Sequence, residues 1–175
     1  MKVYDEIWGV AEDNYGIITS AKAKEIGVSR QNIVAMVRRG DLTRLCQGVY
    51  QVKHHVIGPD DTYAVGVAMV GDTAYLRGAS VIALLKLAPT NPGVLYIGTE
   101  KRVRRRLPNG FRVKDRTHCA ITKFDGIRCQ PLLDALKTAR DEGAIEADRI
   151  ADAAMNAKEK GLITNEECSQ FQSQS

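Results

Sequence analysis

The stretch RQNIVAMVRR carries amide and guanidinium side chains at a spacing that could read DNA bases. If the stretch is helical, Gln31, Ala35 and Arg38 lie roughly on one side, and Asn32 and Arg39 flank them. Arginine pairs with guanine, and asparagine or glutamine pairs with adenine, at base edges in the major groove. A residue as small as Ala35 would let the helix approach the groove closely. The alternative is an ordinary polar face exposed to solvent.

The residues within and around this stretch predict a helix that is packed on one side. Ile33, Met36 and Val37 recur at the spacing of an apolar helical stripe, so they are expected to face a core. Ser29 can cap the start of the helix, and Gly40 can end it. The opposite, polar side is therefore left for solvent or a ligand.

Another helix is predicted over SAKAKEI, which lies before RQNIVAMVRR in the sequence at the distance expected of a helix-turn-helix. Thr19 or Ser20 can cap it, and Gly27 supplies the turn between the two helices. An earlier helix over residues 5–14 brings Trp8 as a core anchor. Two short helices joined by a glycine-containing turn favour DNA reading over a merely solvated polar face.

A β-hairpin is predicted over residues 42–52 and forms a wing beside the helices. Gln47 and Gly48 make its turn, and its imperfect alternation predicts a bulge or a wide turn. Arg44 and Gln47 would project near the tip, where they can meet phosphate or the minor groove. The apolar side chains expected to be buried are Leu42, Leu45, Val49 and Val52. The residues expected to contact DNA are Thr19, Ser20, Ser29, Arg30, Gln31, Asn32, Arg38, Arg39, Arg44 and Gln47.

The densest charge run of the chain lies in its middle, within KRVRRRLPNG. It could contact the phosphates of a nucleic acid or an acidic partner surface, and the alternative is a solvated loop. The cations concerned are Lys101, Arg102, Arg104, Arg105 and Arg106.

Other reactive side chains do not form a catalytic or metal-binding pattern. Ser80 lacks a GxSxG context and is expected to be a cap or packing residue. His54 and His55 are adjacent, but without a third ligand they are expected to be exposed linker residues rather than a metal pair. The four cysteines are widely spaced without a CxxC pair. We therefore expect no enzyme activity, no metal and no cofactor.

Composition indicates a globular protein with unevenly distributed charge, and the widely spaced cysteines favour a reducing, cytoplasmic setting. Of the 175 residues, 44% are hydrophobic, and no apolar run or N-terminal segment predicts a membrane span or a signal peptide. Residues 1–58 carry 8 Lys and Arg against 6 Asp and Glu; residues 59–130 carry 12 against 6, and residues 131–175 carry 5 against 9. The basic middle and acidic C-terminal part suggest separate surfaces or partners.

The sequence predicts an α+β protein with a domain boundary near Gly58-Pro59, giving residues 1–57 and 58–175 as two domains. In the second domain, helices are expected over residues 62–70, 78–88, 131–142 and 144–160. Strands are expected over residues 94–98, 111–116 and 117–122, followed by a hairpin at Asp125-Gly126. The polar tail ECSQFQSQS is expected to be frayed.

The N-terminal third resembles the N-terminal domain of AbiEi-type (type IV) antitoxins over roughly residues 15–55. The shared pattern is a Thr-initiated helix, a Gly-Val-Ser turn, a helix ending in Arg-Gly-x-Leu and a wing ending in Gly-Val-Tyr. Its matches are Thr19, Gly27-Val28-Ser29, Arg39-Gly40-Asp41-Leu42 and Gly48-Val49-Tyr50. The resemblance implies a winged helix followed by a mixed α/β antitoxin domain. It also implies repression of the protein's own operon and neutralisation, direct or indirect, of a nucleotidyltransferase toxin in a phage-defence system.

Operator binding of this kind is expected at inverted repeats, with two molecules that pair on DNA and could be monomers in solution. The competing hypothesis is a single-component winged-helix regulator whose C-terminal domain senses an effector. A small-molecule pocket lined by Tyr63, Tyr75 and Tyr96 would favour that alternative.

Overall fold

The computed structural model describes residues 2–172. Its contacts divide the chain into two compact units, Met1–Met69 and Val70–Ser175. The domain boundary near Gly58-Pro59 stays a prediction, and the first of these contact-defined units extends to Met69. The helix that begins at Asp61 is tied back to preceding residues, because the Asp61 carboxylate binds Nε2 of His55 at 2.6 Å and accepts the Gly58 N–H at 2.9 Å.

Three helices of the first unit surround one apolar core. Ile7, Ile33 and Met36 are each at most 4% exposed and belong to this core, and Trp8 packs against it. The three helices are α1 (Lys2–Ala11), which continues into a 3-10 turn (Glu12–Asn14), α2 (Ser20–Glu25) and α3 (Arg30–Arg39); a further helix, α4 (Asp61–Val70), begins in this unit.

A three-stranded antiparallel sheet completes the winged helix-turn-helix. Its strands, in the spatial order β1-β3-β2, are β1 (Ile17–Thr19), β2 (Leu42–Cys46) and β3 (Val49–Val52). The predicted bulge is present, since the β2–β3 register shifts between Arg44 and Cys46. Strand β1 was not predicted from the sequence; its apolar Ile17 and Ile18 are buried, and it pairs with β3.

The second unit contains a mixed five-stranded sheet. The spatial order is β6-β5-β4-β8-β7; β4 runs parallel to β8 and β5 parallel to β6, and the other pairings are antiparallel. The strands are β4 (Tyr75–Leu76), β5 (Leu95–Gly98), β6 (Phe111–Lys114), β7 (Thr122–Phe124) and β8 (Ile127–Cys129). With the helices described next, these strands confirm the predicted α+β class.

Four helices accompany this sheet. Their inward residues are small or aliphatic, and Ile82, Leu136 and Ile150 are at most 1% exposed. The helices are α5 (Ala79–Leu84), α6 (Leu132–Asp141), α7 (Ala147–Glu159) and α8 (Asn165–Ser169). The predicted helix over residues 78–88 was too long, because Lys86 adopts a positive φ of 55° that is incompatible with a continuing right-handed helix.

The strand predicted over residues 117–122 was wrong, since only Thr122 belongs to a strand. Arg116 adopts a positive φ of 54°, which turns the chain. The Thr117 N–H then donates to the Thr99 carbonyl at 3.0 Å, and the Thr117 hydroxyl lies 2.9 Å from that of Tyr75. These contacts replace strand pairing at this position.

The C-terminal tail is ordered up to Gln172, contrary to the expectation of fraying, and residues 173–175 lie outside the described part of the chain. The helix α8 begins with a capping box in which Thr164 and Glu167 exchange hydrogen bonds with each other's backbone. Cys168 and Phe171 are 2% and 5% exposed, so the tail contributes to the core.

Candidate nucleic-acid interface

Helix α3 is fixed at both ends and on one side, and this leaves its other side free. The Ser29 hydroxyl accepts the Asn32 N–H at 3.2 Å, and Gly40 ends the helix with a left-handed φ of 81°. Ile33 and Met36 are buried in the core. The rotation of α3 about its axis is therefore set by its two ends and by its buried apolar residues, as the sequence predicted.

The free side of α3 forms an open groove. Gln31, Ala35 and Arg38 follow one another at the spacing of one helical face, so their side chains point the same way. Asn32 is exposed but lies outside this groove, at its flank. The residues that line the groove are Arg30, Gln31, Val34, Ala35, Arg38 and Arg39. The structure thus brings the Gln31 amide together with the guanidinium groups of the groove on one helix face, and it leaves Asn32 at the flank.

Val34 lines the groove, although it is not among the residues predicted from the sequence to contact DNA. Its side chain is 42% exposed, although the neighbouring Ile33 is 4% exposed. Because apolar residues in a helix are usually assigned to the core, Val34 was not predicted to lie on the polar face. Its spacing from Gln31 and Arg38, three and four positions away, was the signal that could have placed it on the polar face.

Two of the hydroxyl residues that were predicted to contact DNA, Thr19 and Ser29, cap the starts of helices. Thr19 Oγ1 accepts the Lys22 N–H at 3.1 Å, which starts α2, and Ser29 does the same for α3. Ser20 is exposed at the first position of α2, and its N–H donates to the Gly48 carbonyl at 2.9 Å. The wing's turn is thereby held against the start of α2.

The wing presents polar residues close to its turn. Arg44 is exposed, and its Nε donates to the Cys46 carbonyl at 3.4 Å across the bulge. Gln47 is exposed in the turn, and Gly48 adopts the positive φ of 77° that the turn requires. Of the expected buried residues, Leu42, Val49 and Val52 are buried and Leu45 is half-buried.

The basic run forms a loop in the second unit, and contacts of Lys101 and Val103 help to anchor it. Lys101 Nζ binds the Asp72 carboxylate at 2.9 and 3.1 Å, and the Val103 N–H donates to Asp115 at 3.1 Å. The hydrogen bond from Lys101 holds the pKa of Asp72 below its usual value. The remaining cations, Arg102, Arg104, Arg105 and Arg106, are exposed.

The other reactive side chains have structural roles. Ser80 is 2% exposed, and its hydroxyl accepts the Tyr96 N–H at 2.8 Å, as expected of a packing residue. His54 is exposed, but the expectation of an exposed His55 was wrong, because the His55–Asp61 contact half-buries it. Burial raises the pKa of Cys129 to about 12, so its thiol is protonated at neutral pH. Among residues 2–172, no three His, Cys, Asp or Glu side chains are arranged to hold a metal ion.

The tyrosines proposed for an effector pocket are distributed over both units. Tyr63 lies on α4 in the first unit, and Tyr75 and Tyr96 lie on β4 and β5 in the second. Tyr75 is 3% exposed, its hydroxyl contacts Thr117, and burial raises its pKa. Tyr75 is thus a core residue of the sheet.

Residues 10–53 match the family model described as "Transcriptional regulator, AbiEi antitoxin". The N-terminal region is AbiEi-type. The match covers α2, α3, the wing and the groove residues of α3, which confirms the family expected from the motifs. No curated protein matches the chain. Within residues 2–172, no helix is both long and apolar enough to cross a membrane.

Proposed function

We propose that this AbiEi-type regulator inserts α3 into the major groove of its own operator and represses its operon. The observation that carries the proposal is the groove face of α3, where Gln31, Ala35 and Arg38 are aligned on a helix whose caps and core fix its rotation. Arginine and glutamine on such a face can form paired hydrogen bonds to guanine and adenine.

The wing and the helix caps support this placement. The Ser20–Gly48 hydrogen bond holds the wing's turn beside the start of α2, so both can approach the same stretch of backbone phosphates. Arg30, Asn32, Arg39, Arg44 and Gln47 extend the polar surface from the helix to the wing. We further propose that two molecules occupy inverted half-sites and that each places its α3 in the major groove of the DNA.

The test is a gel-shift titration on the DNA upstream of the gene with wild type and Arg38→Ala. The variant should bind the operator more weakly by about 1–3 kcal/mol, while its circular dichroism is unchanged because Arg38 is exposed. Arg149→Ala removes the same charge from the acidic helix α7 and is the matched control. If the Arg38→Ala titration at physiological salt overlays that of wild type, the proposed reading face is wrong.

We also propose that the second unit neutralises a nucleotidyltransferase toxin encoded by the neighbouring gene, in the cytoplasm and without a catalytic step. The exposed arginines of the basic run offer a surface for an acidic partner or a nucleic acid. The four free cysteines fit a reducing compartment. Co-expression with the neighbouring gene, scored as growth rescue, tests this role separately from operator binding.

A further inference from the structure

Val34 is an apolar side chain on a face that is otherwise built for hydrogen bonding. The rest of the apolar stripe of α3 is turned inward, with Met36 only 1% exposed, whereas Val34 is 42% exposed. One exposed apolar residue is not unusual on a protein surface. Val34 differs because it lines the groove together with Gln31 and Arg38, so whatever these two residues contact also faces Val34.

The chemistry of the major groove offers one apolar group to such a side chain. Guanine, adenine and cytosine present acceptors and donors there, and thymine adds a C5 methyl group. Pressing valine against an amino or carbonyl group would remove water from that group without replacing its hydrogen bond, which is unfavourable. Against a thymine methyl, the same contact buries apolar surface on both sides.

We propose that Val34 is a specificity-determining residue that contacts the C5 methyl of a thymine in each operator half-site, beside the bases read by Gln31 and Arg38. The inference rests on the proposed function, since it requires α3 to lie in the major groove. The β-branched side chain is restricted in its rotamers within a helix, so its methyl groups are held in place without support from the core. The restriction makes Val34 suited to a fixed contact.

The experiment compares operator duplexes that contain thymine with duplexes in which every thymine is replaced by deoxyuridine. Deoxyuridine lacks only the methyl group and keeps its base pairing. Wild type should bind the deoxyuridine duplex about four-fold more weakly for each half-site contact, the factor expected for one buried methyl. Single deoxyuridine replacements should then assign the loss to one position in each half-site.

Variants identify the residue that senses the methyl group. Val34→Ala retains helix propensity and should bind the thymine and deoxyuridine duplexes with equal affinity. Ala35→Ser is the matched control, because Ala35 is the other small apolar residue of the groove, and it should keep the wild-type preference for thymine. Comparing variants on both duplexes cancels any change of DNA shape that deoxyuridine causes.

The outcomes separate this inference from the proposed function. If wild type binds both operator duplexes equally and specifically, the methyl contact is wrong and the operator function stands. If Val34→Ala retains the wild-type preference, another residue senses the methyl group and the inference is overturned. The same holds if Val34→Ala binds DNA like wild type but loses rescue from the toxin, which would place Val34 in a protein interface. If wild type binds neither duplex specifically, the proposed function itself fails.

Discussion

The Nε of Arg39 donates a hydrogen bond to the Asp41 carboxylate at 2.9 Å, just beyond the end of α3. Asp41 is thus an anion beside the proposed DNA-reading face. Its carboxylate takes up one of the hydrogen-bond donors of Arg39, which lines the α3 groove. A carboxylate at this place opposes binding to phosphate and limits the contribution of Arg39.

Asp41→Asn should therefore strengthen DNA binding. Exposed ion pairs contribute at most about 1 kcal/mol, so we expect an increase of about three- to five-fold in affinity. The gain should be similar for operator and unrelated DNA, because phosphate contacts carry no sequence information. The measurement is a salt titration by fluorescence anisotropy. The control is the double variant Arg39→Ala/Asp41→Asn, compared with the single variant Arg39→Ala. If Asp41→Asn raises the affinity for DNA by the same factor in the Arg39→Ala background, Arg39 is not the group that is released.

Removing the basic run should separate the two proposed activities. Serine at Lys101, Arg102, Arg104, Arg105 and Arg106 should abolish rescue from the neighbouring toxin and leave repression of an operon reporter unchanged, because α3 and the wing are untouched. Asp72→Asn, which only releases Lys101 from its ion pair, is the control and should keep rescue. Full rescue by the serine variant would make the run a solvated loop without a role in neutralisation.

Glu142→Ala should destabilise the second unit. Arg77 is 8% exposed, and its guanidinium makes two hydrogen bonds to the Glu142 carboxylate, at 2.6 and 2.9 Å. Without Glu142 a buried cation loses its main partner, which costs about 2–3 kcal/mol for hydrogen bonds to a charged group. Urea unfolding measures the loss. Glu146→Ala removes a carboxylate that is 76% exposed and should change stability by less than about 0.5 kcal/mol. Equal effects of the two variants would contradict the prediction.

Phe171→Ala should show that the C-terminal tail belongs to the core. The ring is 5% exposed, and the Arg140 guanidinium lies 5.4 Å above its centre. Truncating a buried phenylalanine costs about 3 kcal/mol or more, visible as a lower midpoint in thermal unfolding. The exposed neighbour Gln170→Ala is expected to unfold like wild type. A frayed tail would instead make both variants indistinguishable from wild type.

The sequence by itself determined the elements whose signals are local. The caps Thr19 and Ser29, the turns at Gly27 and Gly48, and the apolar stripe of α3 act within a few residues of themselves. The bounds of α2 and α3 and the hairpin of the wing could therefore be predicted, along with most of the face that α3 exposes.

Only the tertiary structure decided the features that depend on distant partners. Strand β1 exists because Ile17 pairs with Gln51, and Glu142 lies 65 positions from the Arg77 that it binds. Phe171 is buried within the second unit, although the polar residues around it in the sequence suggested a frayed tail. Composition and periodicity show that a residue is apolar, but only the long-range contacts of the folded chain decide whether it reaches the core.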